Sequence, residues 1–539
     1  MRSGKWYKLI SLLICTAMLL TLLGGCADGK TAEPENVQDA PEQDAEEKQD
    51  DTPPVTENIG YSEADTVFSL CYAPAYSMNP IYGTNSFNCD LFGLVYEGLF
   101  AVNGKFEAEP VLCTDWETED GITYTFHLRE DVKFHSGERF TAEDASFSIA
   151  AAMSGKKFGS RLSVIKSAWP EDDHTLMISL DYADYSLPQL LDIPIVPSGT
   201  PLESAPAGTG LYMMSADGKH LLPYPGHRDS GSAPVNAVYL KEVASGSLAE
   251  AFSGRTVDIL DIDPAGTRTF NINTEYETRY YDTTDLVYLG FNMMFGITEY
   301  PEVRRAIGYL VDRDSICSDI YNNSAVPAPL MLSPVLDIYD ENWAQDVEYS
   351  RNKFTSALAA MGMADIDSDG FIEGVYGDEL ELTVLVCSEN PYKVAVAEKL
   401  VSEMKAGGVP TKLESVSWDD YLRKLQDGEY SVYIGETRLQ ADFDLSPLYL
   451  AGGSLNYGGI SGGEYEERIK AFLAAESDED RAAKAEELCT YLTDRSSIVP
   501  VAYKKHAVLT HVGVASGLMP TQSNIFYGIT DWKINLGRP

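Results

Sequence analysis

The sequence predicts an α/β protein built from several lobes, and the segment around residue 400 carries the clearest signal. "ELELTVLVCS" (379–388) alternates apolar residues as a strand on a core does, and "PYKVAVAEKLVSEMKAGG" (391–408) carries an apolar face with helical spacing. Gly407 and Gly408 supply a helix stop, and "TKLESVS" (411–417) predicts a further strand. A β-α-β order within about forty residues predicts two parallel strands. Because 539 residues exceed what one hydrophobic core holds, we expect two or three lobes.

Other segments predict helix starts and further strands. A helix is predicted to begin at Pro301 in "PEVRRAIGYLVDRDSICSDIY", and the capping-box spacing of Thr141 and Asp144 predicts a second helix start. "SLAEAFSGRTVDILDID" (247–263) and "YLRKLQDGEYSVYIGE" (421–436) each predict a helix, a glycine and a strand. In α/β sheets such strands often deliver their carboxyl ends to a ligand crevice.

The first 25 residues have the composition of an export signal. Residues 1–8 carry three basic side chains, residues 9–23 are almost wholly apolar, and Gly24 and Gly25 precede Cys26. The apolar run is shorter than the ~20 residues that a membrane-spanning helix needs. The sequence "LGGC" (23–26) resembles the lipobox of bacterial lipoproteins, which implies cleavage before Cys26 and lipidation of its thiol. We therefore expect a signal peptide over 1–25 and a lipid anchor at Cys26, with an ordinary signal peptide as the alternative.

Composition separates a tether from the folded part and excludes several partners. Residues 26–63 are rich in Glu, Asp, Pro and Gln, so we expect a disordered tether. The formal net charge of −43 argues against binding to nucleic acid or to anionic lipid surfaces. No second apolar run approaches membrane length, so the chain is not expected to be a channel or permease itself. The remaining cysteines are scattered without a CxxC pair, which favours buried free thiols and leaves any pairing open.

Two short motifs could indicate chemistry, and neither has the context that the chemistry needs. Residues 459–463 fit G-x-S-x-G with His506 and His511 downstream, but a nucleophile elbow follows a buried strand, and a glycine-rich loop precedes this serine. Residues 365–370 resemble the start of a calcium loop, but position twelve is Tyr376 instead of a bidentate Glu, which favours a surface turn. The histidines form no ligand cluster. We expect no catalytic residue, no metal site and no cofactor, and a protein that is not an enzyme.

A long series of motifs covers nearly the whole folded part in a fixed order. Its first part, from 77 to 149, contains "NP" (79–80), "YEGL" (96–99), "WE" (116–117), "YTFHLR" (124–129) and "VKFHSGERFTAED" (132–144). Later come "GTGLY" (208–212), "VDI" (257–259), "YLGFN" (288–292) and "VRRA" (303–306). Together they resemble the family 5 extracellular solute-binding proteins of ABC importers, which include the oligopeptide-, dipeptide- and nickel-chelate-binding proteins.

The resemblance implies a Venus-flytrap fold of the periplasmic-binding-protein type II, in which crossing strands join two lobes and family 5 adds a further subdomain. The implied bounds are 64–93, 196–285 and 498–539 for lobe I, 94–195 for the additional subdomain and 286–497 for lobe II. The ligand would enter the cleft between the lobes, and the partners would be an ABC permease and its ATPase. The chain would be a monomer, lipid-anchored on the extracellular face of the bacterial membrane, which is the periplasmic side where an outer membrane exists.

Candidate ligand contacts follow from the segment "GETRLQADFDLSPLY" (435–449). Peptide-binding members of the family carry the pattern D-Y-x-D-P there, with an aspartate that pairs with the peptide's ammonium group, and this sequence departs from that pattern. If the preceding strand continues, Glu436 and Arg438 share a face, and the Arg438 guanidinium suits a carboxylate. We expect Asp442 or Asp444 to meet a positive group, with surface pairing of Glu436 and Arg438 as the alternative. The resemblance further implies contacts from Asn79, Tyr82, Phe291 and Asn292.

The expected function is the capture of peptides or similar small polar solutes for import. Two alternatives stay open, namely an extracellular lipoprotein hydrolase and a binding protein for a non-peptide ligand such as a metal chelate or a sugar. A sensor cannot be separated from an importer by sequence, and one scaffold in this family serves many ligands.

Overall fold

A computed structural model describes residues 67–201, 205–374 and 380–537. The predicted signal peptide, the predicted lipid anchor at Cys26 and the predicted tether over 26–63 lie outside the described residues. Within the described ranges, no helix combines the length and the apolar character that crossing a membrane requires.

The strands supply three main sheets. They are, in chain order, β1 Phe68–Tyr72, β2 Phe100–Val102, β3 Ala108–Pro110, β4 Cys113–Thr118, β5 Thr123–Leu128, β6 Ile165–Asp172, β7 Thr175–Leu180, β8 Tyr212–Met214, β9 His220–Pro223, β10 Val238–Glu242, β11 Ile259–Ile262, β12 Tyr276–Phe291, β13 Ala325–Pro327, β14 Leu382–Cys387, β15 Thr411–Val416, β16 Val432–Arg438, β17 Ile498–His511, β18 Ala515–Ser516 and β19 Lys533–Ile534. One sheet has the order β1-β10-β9-β8, and an antiparallel sheet, β4-β5-β7-β6, lies within the predicted additional subdomain. The central sheet has the order β11-β17-β12-β16-β14-β15, with β13 paired to β17.

The helices cover these sheets and connect the strands. The α-helices are α1 Ser86–Val95, α2 Ala142–Ser154, α3 Leu248–Ser253, α4 Pro301–Gly308, α5 Arg313–Ser315, α6 Arg351–Ala360, α7 Pro391–Ala406, α8 Trp418–Asp427, α9 Ser446–Tyr449, α10 Gly463–Leu473 and α11 Asp478–Arg495. A π-helix spans Ile316–Ile320, and short 3-10 helices span Leu187–Leu190, Ser230–Ser232, Ser245–Ser247, Ile297–Glu299, Glu341–Ala344 and Ile529–Asp531. Helix and strand therefore alternate through the central sheet, as in an α/β protein.

The β-α-β unit predicted around residue 400 is confirmed. β14 and β15 pair in parallel on either side of α7 in sequence, and β16 is also parallel to β14. The Asn390 side chain caps α7 by accepting from two backbone N–H groups. Both faces of β14 are buried, because Val384 and Val386 pack into one hydrophobic core while Leu385 and Cys387 pack into another. Burial on both faces is typical of parallel strands in α/β sheets.

The predicted local signals for helix starts and stops are also confirmed. The backbone N–H and the hydroxyl of Thr141 donate to Asp144 Oδ2 over 2.8 and 2.9 Å at the start of α2. α3 leads to β11 and α8 leads to β16, as the two helix, glycine and strand patterns predicted. Gly428 ends α8 with a φ of 72°, a left-handed conformation that glycine adopts without steric cost.

The helix predicted from Pro301 begins there but is shorter than its pattern suggested. α4 ends at Gly308, and the chain turns before a short helix and a π-helical turn. The turn places Arg313 in the interior, where Nε donates to the carbonyl oxygens of Ala328 and Pro500, each over 3.0 Å. A buried guanidinium requires such partners, so tertiary contacts of Arg313 override the local helical pattern.

β12 and β17 are the long strands that run through the whole central sheet. β12 pairs with β17 along most of its length and with β16 over its second half. The register with β17 shifts between Asp282 and Leu286, and the Thr283 hydroxyl donates to the Lys504 carbonyl over 2.7 Å inside this irregularity. These two strands are the candidates for the crossing connection that the family resemblance implied, and the irregularity interrupts their pairing near the middle of β12.

Candidate ligand-binding site

A cavity of about 470 Å³ opens at the carboxyl ends of the central strands. β14 delivers Cys387 and Glu389 to it, β16 delivers Glu436 and Arg438, and the turn after β11 delivers Asp263. The strands thus bring their carboxyl ends to one crevice, as expected for an open α/β sheet. The volume is within the range of ~300–1,000 Å³ that is common for small-molecule sites.

A buried lysine organises the charged end of this cavity. The side chain of Lys504 is 3% exposed, and its Nζ donates to Asp263 Oδ2 over 2.5 Å and to Glu436 Oε1 over 2.8 Å. Lys393 Nζ lies 3.0 Å from the other Glu436 oxygen. Burial disfavours the charged amine, but the two carboxylates hold the pKa of Lys504 above its ordinary value. Burial likewise opposes ionisation of Glu436, and the two lysines hold its pKa below the ordinary value.

Arg438 forms the other ion pair at this end. Nε and Nη2 donate to the two Asp285 oxygens over 2.6 and 2.8 Å, in a bidentate arrangement. His506 Nε2 lies 3.1 Å from Asp285. Burial favours protonated Asp285, but Arg438 and His506 hold the pKa of this carboxyl well below its ordinary value. The Arg438 side chain is 50% exposed, and its Nη1 makes no hydrogen bond to any residue that the structure describes, so it remains available on the cavity side.

The other end of the cavity is aromatic and apolar. Its lining residues there are Tyr288, Trp418, Tyr421, Leu422, Leu425, Tyr433, Leu455 and Tyr457. The rings of Tyr433 and Tyr457 meet edge to face, with centroids 6.2 Å apart. A ligand that fills this cavity therefore meets charged groups at one end and ring surfaces at the other.

Among the eight candidate contacts, Glu436 and Arg438 lie together in the cavity lining, and the N-terminal pair lies elsewhere. Asn79 is buried and holds a turn, because its side chain accepts from Ile81 N over 3.0 Å. Tyr82 is half-buried, with its hydroxyl 3.5 Å from the Ala151 carbonyl oxygen. Both residues thus serve local packing in this structure.

Phe291 and Asn292 at the end of β12 also point away from the cavity. Phe291 is buried in a hydrophobic core. Asn292 is buried, and its amide donates to the Gly428 carbonyl over 2.9 Å while its side-chain oxygen accepts from Met294 N over 3.0 Å. The amide of Asn292 is therefore committed to holding the loop after β12 against the end of α8.

Asp442 and Asp444 are not brought together with Arg438. Asp442 is buried and accepts from the backbone N–H of Asp444 over 3.0 Å, and Asp444 accepts from Ser446 N over 2.9 Å. Arg481 donates to the Asp442 carbonyl oxygen over 3.1 Å. Burial and the nearby Asp184 raise the pKa of Asp442 to about 8. The chain turns inward after β16, which carries these carboxylates towards the predicted additional subdomain instead of the cleft.

Most of the cavity lining was not predicted from the sequence, including its charged residues Asp263, Asp285, Glu389, Lys393 and Lys504 and the exposed Trp418. Lys504 stands in "IVPVAYKKHAVL", a strand that is apolar on either side of residues 504–506, and a lysine within such a strand is rarely buried unless it is paired. Asp263 directly follows the strand pattern of β11 at the predicted crevice edge. These two signals could have been found, but their partners are distant in sequence.

The two weak motifs occupy loops. Ser461 is exposed in a segment of turns that follows α9 and precedes α10, so no strand leads to it among the described residues. In the acidic loop, carboxylate oxygens of Asp365, Asp367, Asp369 and Glu373 lie within 4.8 Å of one another. Glu373 is buried and accepts from Ile366 N over 2.7 Å. This loop is thus a compact turn that its own carboxylates hold together.

A mixed α/β sheet with a charged and aromatic cavity at the carboxyl ends of its strands suits a protein that binds small solutes. The family described as bacterial extracellular solute-binding proteins, family 5, middle region, matches residues 107–459. The chain belongs to this family of extracellular solute-binding proteins, and its fold is the periplasmic-binding-protein type II.

Individual relatives differ in the ligands that their names give. The chain is 24% identical to heme-binding protein A of Haemophilus influenzae, over 82% of this chain and 88% of the relative. It is 22% identical to di/tripeptide-binding protein 3 of Pseudomonas aeruginosa, over 79% of this chain and 87% of the relative. The crystal structure of NikZ from Campylobacter jejuni in complex with Ni(L-His) matches with a TM-score of 0.64 at 20% identity, over 88% of this chain and 100% of that one. At this identity the structural match establishes the fold alone.

Proposed function

We propose that the protein is the substrate-binding lipoprotein of an ABC importer, and that it captures peptides or similar small polar solutes in the cleft and delivers them to a membrane permease. The observation that carries the proposal is Arg438, whose guanidinium is fixed by Asp285 on one edge and exposed to the cavity on the other. A guanidinium that is already held in one plane binds a carboxylate with little loss of side-chain entropy. The relative named as a di/tripeptide-binding protein supports the same ligand class.

The charges of the cavity suit a zwitterion. The acidic groups in its lining are Asp263, Asp285, Glu389 and Glu436, and the basic groups are Lys393, Arg438 and Lys504. Lys504 is buried and satisfied by two carboxylates, so Arg438 is the better placed cation for a ligand anion. Glu389 is exposed and offers an acceptor for a ligand ammonium group. Ligand closes the cleft to the extent that it binds the closed form more tightly than the open form.

Replacing Arg438 should reveal the carboxylate contact. We expect Arg438→Ala to weaken binding of tripeptides by about 100-fold or more, because a desolvated charge pair loses one partner. Arg438→Lys should lose less affinity than Arg438→Ala, since it keeps the positive charge but loses the planar pair of N–H donors. Isothermal calorimetry gives the affinities, and the thermal midpoint confirms that each variant is folded.

Two control variants accompany this measurement. Arg423→Ala removes an exposed arginine of α8 that pairs only with surface carboxylates and should bind normally. Ser461→Ala should also bind normally and show no change in peptide turnover, whereas loss of a hydrolytic activity in this variant would favour the hydrolase alternative. Near-normal affinity in Arg438→Ala would remove Arg438 from the ligand contacts.

A non-peptide ligand is the second candidate, favoured by the relatives named for heme and for nickel bound to histidine. Native mass spectrometry of protein purified with its natural ligand distinguishes the candidates by mass. A bound ligand at ~100 times its dissociation constant adds ~2.7 kcal/mol of stability, so thermal shifts can rank a compound set before calorimetry.

The anchor is proposed from the resemblance of residues 23–26 to a lipobox. We expect Cys26→Ser to release the protein from the membrane fraction, because the thiol that accepts diacylglycerol is gone and each buried methylene contributes ~0.8 kcal/mol of membrane affinity. Metabolic labelling with a fatty acid and cell fractionation measure this. Cys489→Ser, at a buried position of the folded part, is the matched control. A wild-type chain that takes up no labelled lipid would refute the anchor.

A further inference from the structure

Among the aromatic residues that line the cavity, Trp418 is exposed and Tyr457 is half-buried. Trp418 is 46% exposed, whereas Tyr421, Tyr433 and Tyr288 around the same cavity are buried. A large apolar side chain left open inside a concave site commonly marks a ligand contact, because its burial becomes available only on binding. Trp418 is the first residue of α8, directly after the N-cap Ser417.

A ring contact supports the indole, and a backbone hydrogen bond fixes the start of its helix. Its backbone N–H donates to Glu389 Oε1 over 3.2 Å, which ties the start of α8 to the end of β14. Its ring stacks on Tyr421, with centroids 5.8 Å apart and planes 26° apart. The Tyr421 hydroxyl in turn donates to the Ile434 carbonyl over 2.8 Å, so the supporting ring is fixed to β16. Trp418 and Tyr421 both line the cavity, and Trp418 is the ring of the pair that keeps a large exposed surface.

The neighbouring residues make this end selective for ring surfaces. Leu422 and Leu425 from α8 and Leu455 and Tyr457 from the loop after α9 complete an apolar wall. Most charged groups of the cavity cluster around Lys504 and Arg438, while Glu389 lies beside Trp418 at the start of α8. A flat apolar group therefore loses its contact with water against the wall while its anionic group reaches the guanidinium.

We propose that Trp418 is a specificity-determining residue that stacks on an aromatic side chain of the ligand, so that the preferred ligands are short peptides that carry an aromatic residue and a free carboxylate. This proposal rests on the proposed function and goes beyond it by naming the ligand class. Ring stacking adds to the hydrophobic burial that an aliphatic side chain of similar size would give. Selection between aromatic and aliphatic peptides thus depends on Trp418, and affinity for peptides in general depends on Arg438.

The test uses a defined tripeptide set with the full-length folded protein. One residue of Ala-Ala-Ala is replaced by Phe or by Leu at each position in turn, and binding is measured by calorimetry. We expect the best Phe peptide to bind about tenfold or more tightly than its Leu counterpart. Trp418→Ala should abolish this preference while the Leu peptide keeps its affinity within about threefold, and Trp418→Phe should retain most of the preference.

The matched control is Trp169→Ala, because Trp169 is 37% exposed on β6 and lies outside the cavity lining. It should leave both affinities unchanged. Equal binding of Phe and Leu peptides by the wild type, or an unchanged preference for Phe in Trp418→Ala, would contradict the proposed stacking on Trp418. The proposed function would still stand if Arg438→Ala weakened the binding of both peptides. Absence of binding by every peptide in the set overturns the proposed peptide function together with the proposed stacking.

Discussion

Lys504→Met is expected to lower the free energy of unfolding by about 3–5 kcal/mol and to abolish ligand binding, because it leaves two partly buried carboxylates without their shared cation. Lys504 Nζ is within 2.8 Å of both Asp263 and Glu436, and the lysine side chain is 3% exposed. Methionine has a similar length, so the loss reflects charge more than volume. Urea unfolding measures the stability, and calorimetry with the tripeptide set measures binding.

Lys505→Met is the matched control on the next residue of β17. Lys505 is partly exposed and lies 3.4 Å from Asp282, so its removal should cost about 1 kcal/mol or less. The double variant Lys504→Met/Asp263→Asn should be more stable than Lys504→Met, because it removes the carboxylate that loses its hydrogen-bonded cation, whereas Glu436 keeps Lys393 as a partner. Equal stabilities of the Lys504 and Lys505 variants would contradict the central place of Lys504 in the cavity.

The Lys504 bridge has a consequence for closure of the cleft. Asp263 follows β11 in the predicted lobe I, Glu436 lies on β16 in the predicted lobe II, and Lys504 lies on the strand that crosses between them. The Asn390 amide adds a contact of 3.3 Å to the Ala265 carbonyl across the same junction. If the predicted lobes are correct, protein groups alone bridge them in this structure, and a ligand then has less of the work of closing the cleft to supply.

Local signals in the sequence predicted the elements, and the reason is physical. Thr141 begins α2, Gly407 follows the last residue of α7 and Gly428 ends α8, through contacts or backbone conformations within a few residues, so each signal is complete in a short window. The helix from Pro301 illustrates the limit. Its end depends on Arg313 and carbonyl oxygens up to 187 positions away, which no short window contains.

The site was predicted only where its residues share one strand. Glu436 and Arg438 alternate along β16, so strand periodicity placed them on one face. Their partners come from other strands: Asp285 is 153 positions from Arg438, and Asp263 is 241 positions from Lys504. The inward turn of the chain at Asp442 also depends on tertiary contacts, which a short stretch of sequence does not contain. For that reason the Asp442 carboxylate was expected near the ligand.

Asp442 supports the second large prediction, which concerns pH. Asp442 lies in the predicted lobe II and Asp184 in the predicted additional subdomain, and Arg481 spans the contact by donating to Ser186 Oγ and to the Asp442 carbonyl. Tyr185 N also donates to the Leu473 carbonyl over 2.9 Å across this contact. Burial raises the pKa of Asp184 to about 6 and that of Asp442 to about 8, with mutual repulsion as a further cause for Asp442.

The sign of the pH effect follows from these directions. Unfolded aspartates titrate near pH ~3.9, so between that pH and about 8 Asp442 binds more proton in the folded protein than in the unfolded chain, and its contribution to stability falls as the pH rises. Stability is therefore expected to fall as pH rises through this window. Asp90 and Asp261, which are buried elsewhere with raised pKa values, add to the same trend, so a variant is needed to isolate Asp442.

Asp442→Asn should flatten the pH profile. The amide oxygen can still accept from Asp444 N, while the buried charge at high pH is gone. Because one pKa unit corresponds to ~1.4 kcal/mol, we expect the variant to gain about 2 kcal/mol or more relative to the wild type between pH 5 and pH 8. Urea unfolding at both pH values measures the gain, with Asp494→Asn on the exposed side of α11 as the control.

Ligand affinity should follow the same carboxylate if this contact opens with the cleft. Opening returns Asp442 to water, where the ionised form is favoured, so closing at pH 8 requires either uptake of a proton or burial of a charge. The wild type should then bind tripeptides more weakly at pH 8 than at pH 6, and Asp442→Asn should lose this difference while it keeps the affinity seen at pH 6. The affinities of the wild type and of Asp442→Asn could instead change with pH in parallel while their stabilities diverge as expected. That result would mean that the contact between Asp184 and Asp442 stays closed while the cleft opens.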